Sequence, residues 1–188
     1  MGLRTFIAIE VPGNIQSSIT SAIAPLRDLL ADSVKWVREG NIHLTLKFLG
    51  ETPEEKIREI EAAVSRAAGC FAPIKAEVKG TGVFPDTRRP SVLWVGLLAP
   101  PTLTELSSRI EQELAPLGFE SDERPFSPHL TVGRLRRGAR VPGKRLAAEL
   151  ERLEAVTLGS MDIREIILMK SDLMPGGPVY TRLFSARL

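Results

Sequence analysis

Two histidines occur in this chain of 188 residues, and each opens the same pattern, His43-Leu44-Thr45-Leu46 and His129-Leu130-Thr131-Val132. Imidazole gives and takes protons near neutral pH without special tuning. In an extended strand residues i and i+2 share a face. His43 then sits beside Thr45 and His129 beside Thr131, while Leu44, Leu46, Leu130 and Val132 anchor the opposite faces in a core. Brought together, the motifs offer one acid, one base and two hydroxyls to a single small polar group. A phosphodiester suits that set. In-line attack by water needs a base on one side of phosphorus and an acid at the leaving oxygen, each proton transfer contributing about 10²–10⁴-fold in rate. Threonine hydroxyls can donate to the non-bridging oxygens, where negative charge must be held. Both histidines are committed here and neither motif holds a carboxylate, so the chemistry is expected to need no metal and no other cofactor. The competing reading is a pair of satisfied structural histidines.

The elements that must position these residues follow from periodicity and punctuation. Thr5 to Val11 reads as a strand, and Pro12 opens a helix with Ile15, Ile19, Ala22, Ile23 and Leu26 at helical spacing. Val34–Val37 and Ile42–Leu49 read as paired strands joined around Glu39-Gly40-Asn41. Thr52-Pro53-Glu54-Glu55 has the form of a capping box at the start of a helix running to Gly69, and Thr102 with Glu105 forms a second. Extended segments at Ile74–Val83 and Ser91–Leu98 flank a Pro-bounded loop carrying Arg88 and Arg89, read as a lobe edge. A helix follows Pro101, the second histidine strand spans Pro128–Leu135, and a helix near Lys144–Leu153 precedes the last strands. Strands in adjacent pairs with helices outside them predict an α+β fold with antiparallel or mixed sheets. Each half carries strand, helix and His-Leu-Thr strand, as if one unit were duplicated.

Composition is that of an ordinary globular chain, 43% hydrophobic and 26% charged with a net charge of +2. No global field draws it to nucleic acid or membrane. The apolar uncharged stretch Val92 to Thr104 is broken by Pro100 and Pro101, and no uncharged stretch reaches spanning length, so no membrane span is expected. The single cysteine, Cys70, excludes a disulfide framework and is expected as a small packed residue; a reducing, cytoplasmic setting fits. One unit spanning 1–188 with two lobes is expected. Arg136, Arg137, Arg140, Lys144 and Arg145 form a basic run that reads equally as a phosphate-tracking patch or a solvated face. Phe48, Trp36 and Tyr180 offer rings for a base to stack on, but Phe48 has the parity of the core face and Lys47 that of the cleft.

The chain resembles the two-histidine (2H) phosphoesterases, in the RNA 2′,3′-cyclic phosphodiesterase branch long called 2′-5′ RNA ligase. The resemblance runs from Arg4-Thr5-Phe6-Ile7-Ala8-Ile9 and Lys35-Trp36-Val37 through Asn41 to Gly50 around the first histidine. It continues with Val83-Phe84-Pro85, Arg88 to Trp94, Pro125 to Arg134 and Gly177-Pro178-Val179-Tyr180. It implies a bilobal fold with a pseudo-twofold axis, two mostly antiparallel sheets facing a central cleft. It implies opening of a 2′,3′-cyclic phosphate to a 2′-phosphate and a free 3′-hydroxyl, with His43 as acid at O3′ and His129 as base on water. The residue pattern itself treats the two histidines as equivalent. The resemblance also places Arg134 on the substrate; strict alternation turns it away from His129, and a bulge at Gly133 would turn it back. RNA ends or cyclic nucleotides are the implied partners, and a monomer is expected. The alternatives are 2′-5′ RNA ligation through the same site, or an RNA-end-binding protein without catalysis.

Overall fold

The computed structural model describes residues 2–139 and 141–188; Arg140 of the basic run lies outside them. The described residues form nine strands and five α-helices. In chain order these are β1 (Gly2–Glu10), α1 (Gly13–Ala22), α2 (Ala24–Leu30), β2 (Val34–Trp36), β3 (His43–Pro53), α3 (Ile57–Ala68), β4 (Ile74–Phe84) and β5 (Val92–Leu98). They continue with α4 (Pro101–Leu114), β6 (His129–Leu135), α5 (Gly143–Glu154), β7 (Thr157–Ile163), β8 (Glu165–Met174) and β9 (Gly177–Arg187).

All strand pairings are antiparallel, in the order β7-β4-β5-β6-β3-β1-β8-β9, with β2 on the free half of β6. The order is symmetric about its midpoint. Exchanging β3 with β6 also exchanges β1 with β5, β8 with β4 and β9 with β7. The two expected sheets are therefore halves of one curled sheet, hydrogen-bonded at a narrow seam where Leu44 pairs with Leu130.

Alternation along the strands sorts the two faces. Ile7, Ile9, Leu44, Leu130, Ile166 and Leu168 enter the main core beneath the helices. The intervening Phe6, Ala8, Ile167 and Met169 form a smaller apolar cluster on the concave face, with Tyr180 against it. The helices turn a stripe of apolar residues to the sheet at spacings of three and four: Ile60, Ala63, Val64 and Ala67 on α3, and Leu103, Leu106, Ile110 and Leu114 on α4. None of the helices among the described residues is long and apolar enough to cross a membrane.

Four local expectations are corrected. The helix after Pro12 breaks at Ile23, because Pro25 in the first turn of α2 supplies no N–H and cannot continue α1. β2 does not pair with β3; it pairs with β6, and Val37 N–H extends the contact to the Val132 carbonyl at 2.9 Å. Thr52 caps no helix. It is buried in an extended β3, where its hydroxyl meets that of Thr5 at 2.7 Å, and Thr102 likewise makes no side-chain cap. Cys70 is exposed rather than packed.

Candidate active site

Extending the Leu44–Leu130 pairing by one residue each way sets His43 opposite Thr131 and Thr45 opposite His129. Residues facing each other across an antiparallel pair point to the same side of the sheet. Leu44 and Leu130, 1% and 0% exposed, fill the core side. The two histidines and two threonines therefore share the concave face. Diagonal neighbours in such a pair lie roughly 7–8 Å apart, room for a phosphate between the imidazoles.

Each imidazole is held the same way. His43 Nδ1 lies 2.8 Å from the Asn41 carbonyl oxygen and His129 Nδ1 lies 2.7 Å from that of Ser127. A carbonyl only accepts, so Nδ1 carries the hydrogen in both rings and Nε2 faces the cleft. Aromatic rings complete the setting. His43 packs against Phe6 and edge-on against Tyr180, at centroid distances of 5.0 and 5.1 Å. His129 packs edge-on against Phe84 at 5.0 Å. Phe84 in turn lies on Trp94, whose indole spreads flat over Gly82, where any Cβ would overlap it.

The loop presenting Asn41 is tied down on several sides. Gln16, buried, donates to the Val11 carbonyl and accepts from Gly40 N–H at 2.7 Å, and Asn41 Nδ2 donates to the Pro178 carbonyl at 3.0 Å. Burial holds the His43 imidazole below its ordinary value despite the Asn41 hydrogen bond, and the Arg134 guanidinium adds to the effect. Burial also pushes the Tyr180 phenol up, with Arg134 and Arg4 pulling the other way.

A bulge occurs at the same place in both histidine strands. In β6 Thr131 faces Trp94 and Gly133 faces Leu93, so Val132 is the extra residue. In β3 Thr45 faces Ala8 and Lys47 faces Ile7, so Leu46 is the extra residue. Each bulge reverses the parity beyond it. Arg134 thus turns to the concave face, within electrostatic reach of His43 and Tyr180. Gly133 turns inward, where a Cβ would stand 2.6 Å from Val34 Cγ1.

In β3 the same reversal overturns two expectations. Phe48 leaves the core and stands 61% exposed on the concave face, 6.1 Å from Phe6. Lys47 goes inside instead, where its ammonium bridges Glu111 at 2.9 Å and donates to the Glu120 carbonyl at 2.6 Å. Trp36 lies on the helical side with the Arg27 guanidinium 5.3 Å from its ring centroid, and offers nothing to the cleft. The carbonyls of Asn41 and Ser127, Gln16 behind the Asn41 loop, and the Phe6 and Phe84 rings have no signal in residue type or spacing around the motifs; only contact reveals them.

A family model described as the 2′-5′ RNA ligase superfamily matches residues 15–173. The chain belongs to the 2′-5′ RNA ligase superfamily. Among superfamily members, it is 36% identical to a protein of Methanothermobacter thermautotrophicus over the whole of both chains, and that protein is named RNA 2′,3′-cyclic phosphodiesterase. It is 32% identical to one of the same name from Thermotoga maritima, covering 98% of this chain and 95% of the other. Among solved structures it superposes on a Thermus thermophilus protein with a TM-score of 0.82 at 29% identity, covering 99% and 98% of the two chains. It superposes on E. coli LigT complexed with 3′-AMP with a TM-score of 0.77 at 26% identity, covering 100% and 99%. The α+β architecture is common to these superfamily structures.

Proposed function

We propose that this protein hydrolyses 2′,3′-cyclic phosphates at RNA ends to 2′-phosphates without a metal ion. The observation that carries the reading is the Leu44–Leu130 register, which sets both His-x-Thr pairs on one face with both Nε2 atoms turned to the cleft. The name shared by the relatives supports the same substrate class.

In this mechanism His129 Nε2 takes a proton from water as its oxygen attacks phosphorus. The P–O3′ bond breaks on the opposite side, and His43 Nε2–H protonates the departing O3′. The products are a 2′-phosphate and a 3′-hydroxyl, and the two histidines exchange their protons with solvent before the next cycle. Thr45 and Thr131 donate hydroxyl hydrogens to the non-bridging oxygens, and Arg134 holds the charge that grows there. Burial makes protonated His43 a stronger acid than free imidazole. The phosphodiester anion beside it restores the proton that burial disfavours.

The test is turnover of a 2′,3′-cyclic nucleotide, with the product identified by phosphorus NMR. A 2′-phosphate formed equally with and without EDTA supports the reading. A 3′-phosphate, no product, or loss of activity in EDTA that a divalent ion restores would overturn it.

A further inference from the structure

Beyond the cleft, at the end of β6, a cavity of about 690 Å³ opens between the β4–β5 loop, the segment after Leu135 and the start of α5. Among the described residues five cations line it, Arg88, Arg89, Arg136, Arg137 and Lys144, and no carboxylate does. None of the five forms a salt bridge with a carboxylate among the described residues. The nearby Asp86 carboxylate accepts from the backbone N–H groups of Arg88 and Arg89 at 2.7 and 3.1 Å and lies within electrostatic reach of their side chains without a salt bridge to either. That turn fixes the loop and leaves both guanidinium groups free. Five cations against the one exposed, solvent-screened Asp86 carboxylate leave a net excess of positive charge, an arrangement that an anionic ligand relieves.

The cavity and the cleft are built on the same elements, β6 and the loop that follows Phe84. Phe84, which packs against His129, opens the loop that carries Arg88 and Arg89, and the Ser91 hydroxyl closes that loop on the Phe84 carbonyl at 3.0 Å. On the other side Arg134 and Lys35 face each other across β6 and β2, both exposed on the cleft side. From Arg134 to Arg137 is three residues, at most about 11 Å of chain. A cyclic phosphate is the 3′ terminus of its strand, so everything else in the substrate lies 5′ of it. A strand leaving the cleft past Arg134 and Lys35 rounds the end of the sheet and meets the five cations.

Building on the proposed function, we infer that this cavity binds the backbone phosphates of the nucleotides 5′ of the reacting end, so that the enzyme prefers RNA strands to cyclic mononucleotides. The contacts are to phosphate, not to bases, and carry no sequence preference.

The test compares wild type with the quadruple variant Arg88→Gln, Arg89→Gln, Arg137→Gln, Lys144→Gln on a 2′,3′-cyclic mononucleotide and on an oligoribonucleotide with a cyclic end. With wild type, kcat/KM should be higher on the oligomer. The variant should lose at least about tenfold on the oligomer and stay within about twofold of wild type on the mononucleotide. Anisotropy of a labelled oligoribonucleotide ending in a 3′-phosphate reads binding without turnover. Its log–log salt dependence should flatten by about 0.7 for each phosphate that the variant no longer neutralises. Equal kcat/KM on both substrates in wild type, or an unchanged salt slope in the variant, would overturn the inference while mononucleotide turnover leaves the proposed function standing. Tripolyphosphate altering mononucleotide turnover only through the intact cavity, with no length effect, would assign it to a free phosphorylated ligand and also overturn it. Failure of mononucleotide turnover in wild type would count against the proposed function alone, since the anisotropy arm still decides this one.

Discussion

Leu44 and Leu130 are cross-strand partners at the centre of the sheet, and their pairing sets where both histidines stand. Each histidine is one residue from that pair, so backbone geometry sets its place, and the ring contacts and the Nδ1 hydrogen bond orient its imidazole. His43→Ala and His129→Ala should each lower turnover by at least about 10²-fold while the thermal midpoint moves little. Turnover near wild type in either variant would remove that residue from the mechanism.

Gly133 makes room for the bulge that turns Arg134 into the cleft, since a Cβ there would stand 2.6 Å from Val34 Cγ1 and 3.1 Å from the Trp36 ring. Gly133→Ala should cost about 1–3 kcal/mol of stability by overpacking, read by denaturant titration. It should also raise KM, because Arg134 moves with the strand. A stable variant with unchanged KM would show that the bulge is not what aims Arg134.

Phe48 is exposed beside the ring that supports His43, so a base can lie on it. Stacking on an aromatic ring contributes about 1–3 kcal/mol per base. Phe48→Ala should therefore raise KM by about fivefold or more and leave stability unchanged, whereas loss of a core phenylalanine would cost about 3–5 kcal/mol. A large drop in the denaturation midpoint would return Phe48 to a packing role.

His43 binds its proton less readily in the folded protein than at the ordinary value of 6.5, chiefly because it is buried. The unfolded chain then takes up that proton first, so stability is full above the ordinary value and falls as pH drops through and below it. Wild type should lose stability faster than His43→Gln between about pH 7.5 and 5. Parallel curves would mean that His43 titrates alike in both states. With His43 as the acid, the alkaline limb of kcat/KM should also begin below the ordinary imidazole value.

The histidine motifs were legible in the sequence because strand periodicity is two, and a repeated His-x-Thr keeps that period. Helices α3, α4 and α5 were legible for the parallel reason that their apolar residues recur at three and four. Parity failed where the chain departs from its period without a marker. Leu46 is extra in β3 and looks like any strand leucine, so Lys47 and Phe48 exchanged faces. In β6 the extra Val132 is followed by Gly133, which marks the bulge in the sequence itself. Pairing of β2 with β6 depends on contacts about a hundred residues apart. Thr52 matched a cap signature, but its hydroxyl found Thr5 across a strand pair, a contact no local pattern encodes.

Lys47 joins β3, which carries the first histidine, to Glu111 of α4 and to the Glu120 carbonyl in the segment that leads to the second. Its strand supplies one imidazole while its ammonium tethers the approach to the other. Whatever ancestral duplication the mirrored strand order reflects, the two copies are no longer interchangeable parts. Fragments severed between α4 and β6 would have to reassemble around this buried cation before either could work.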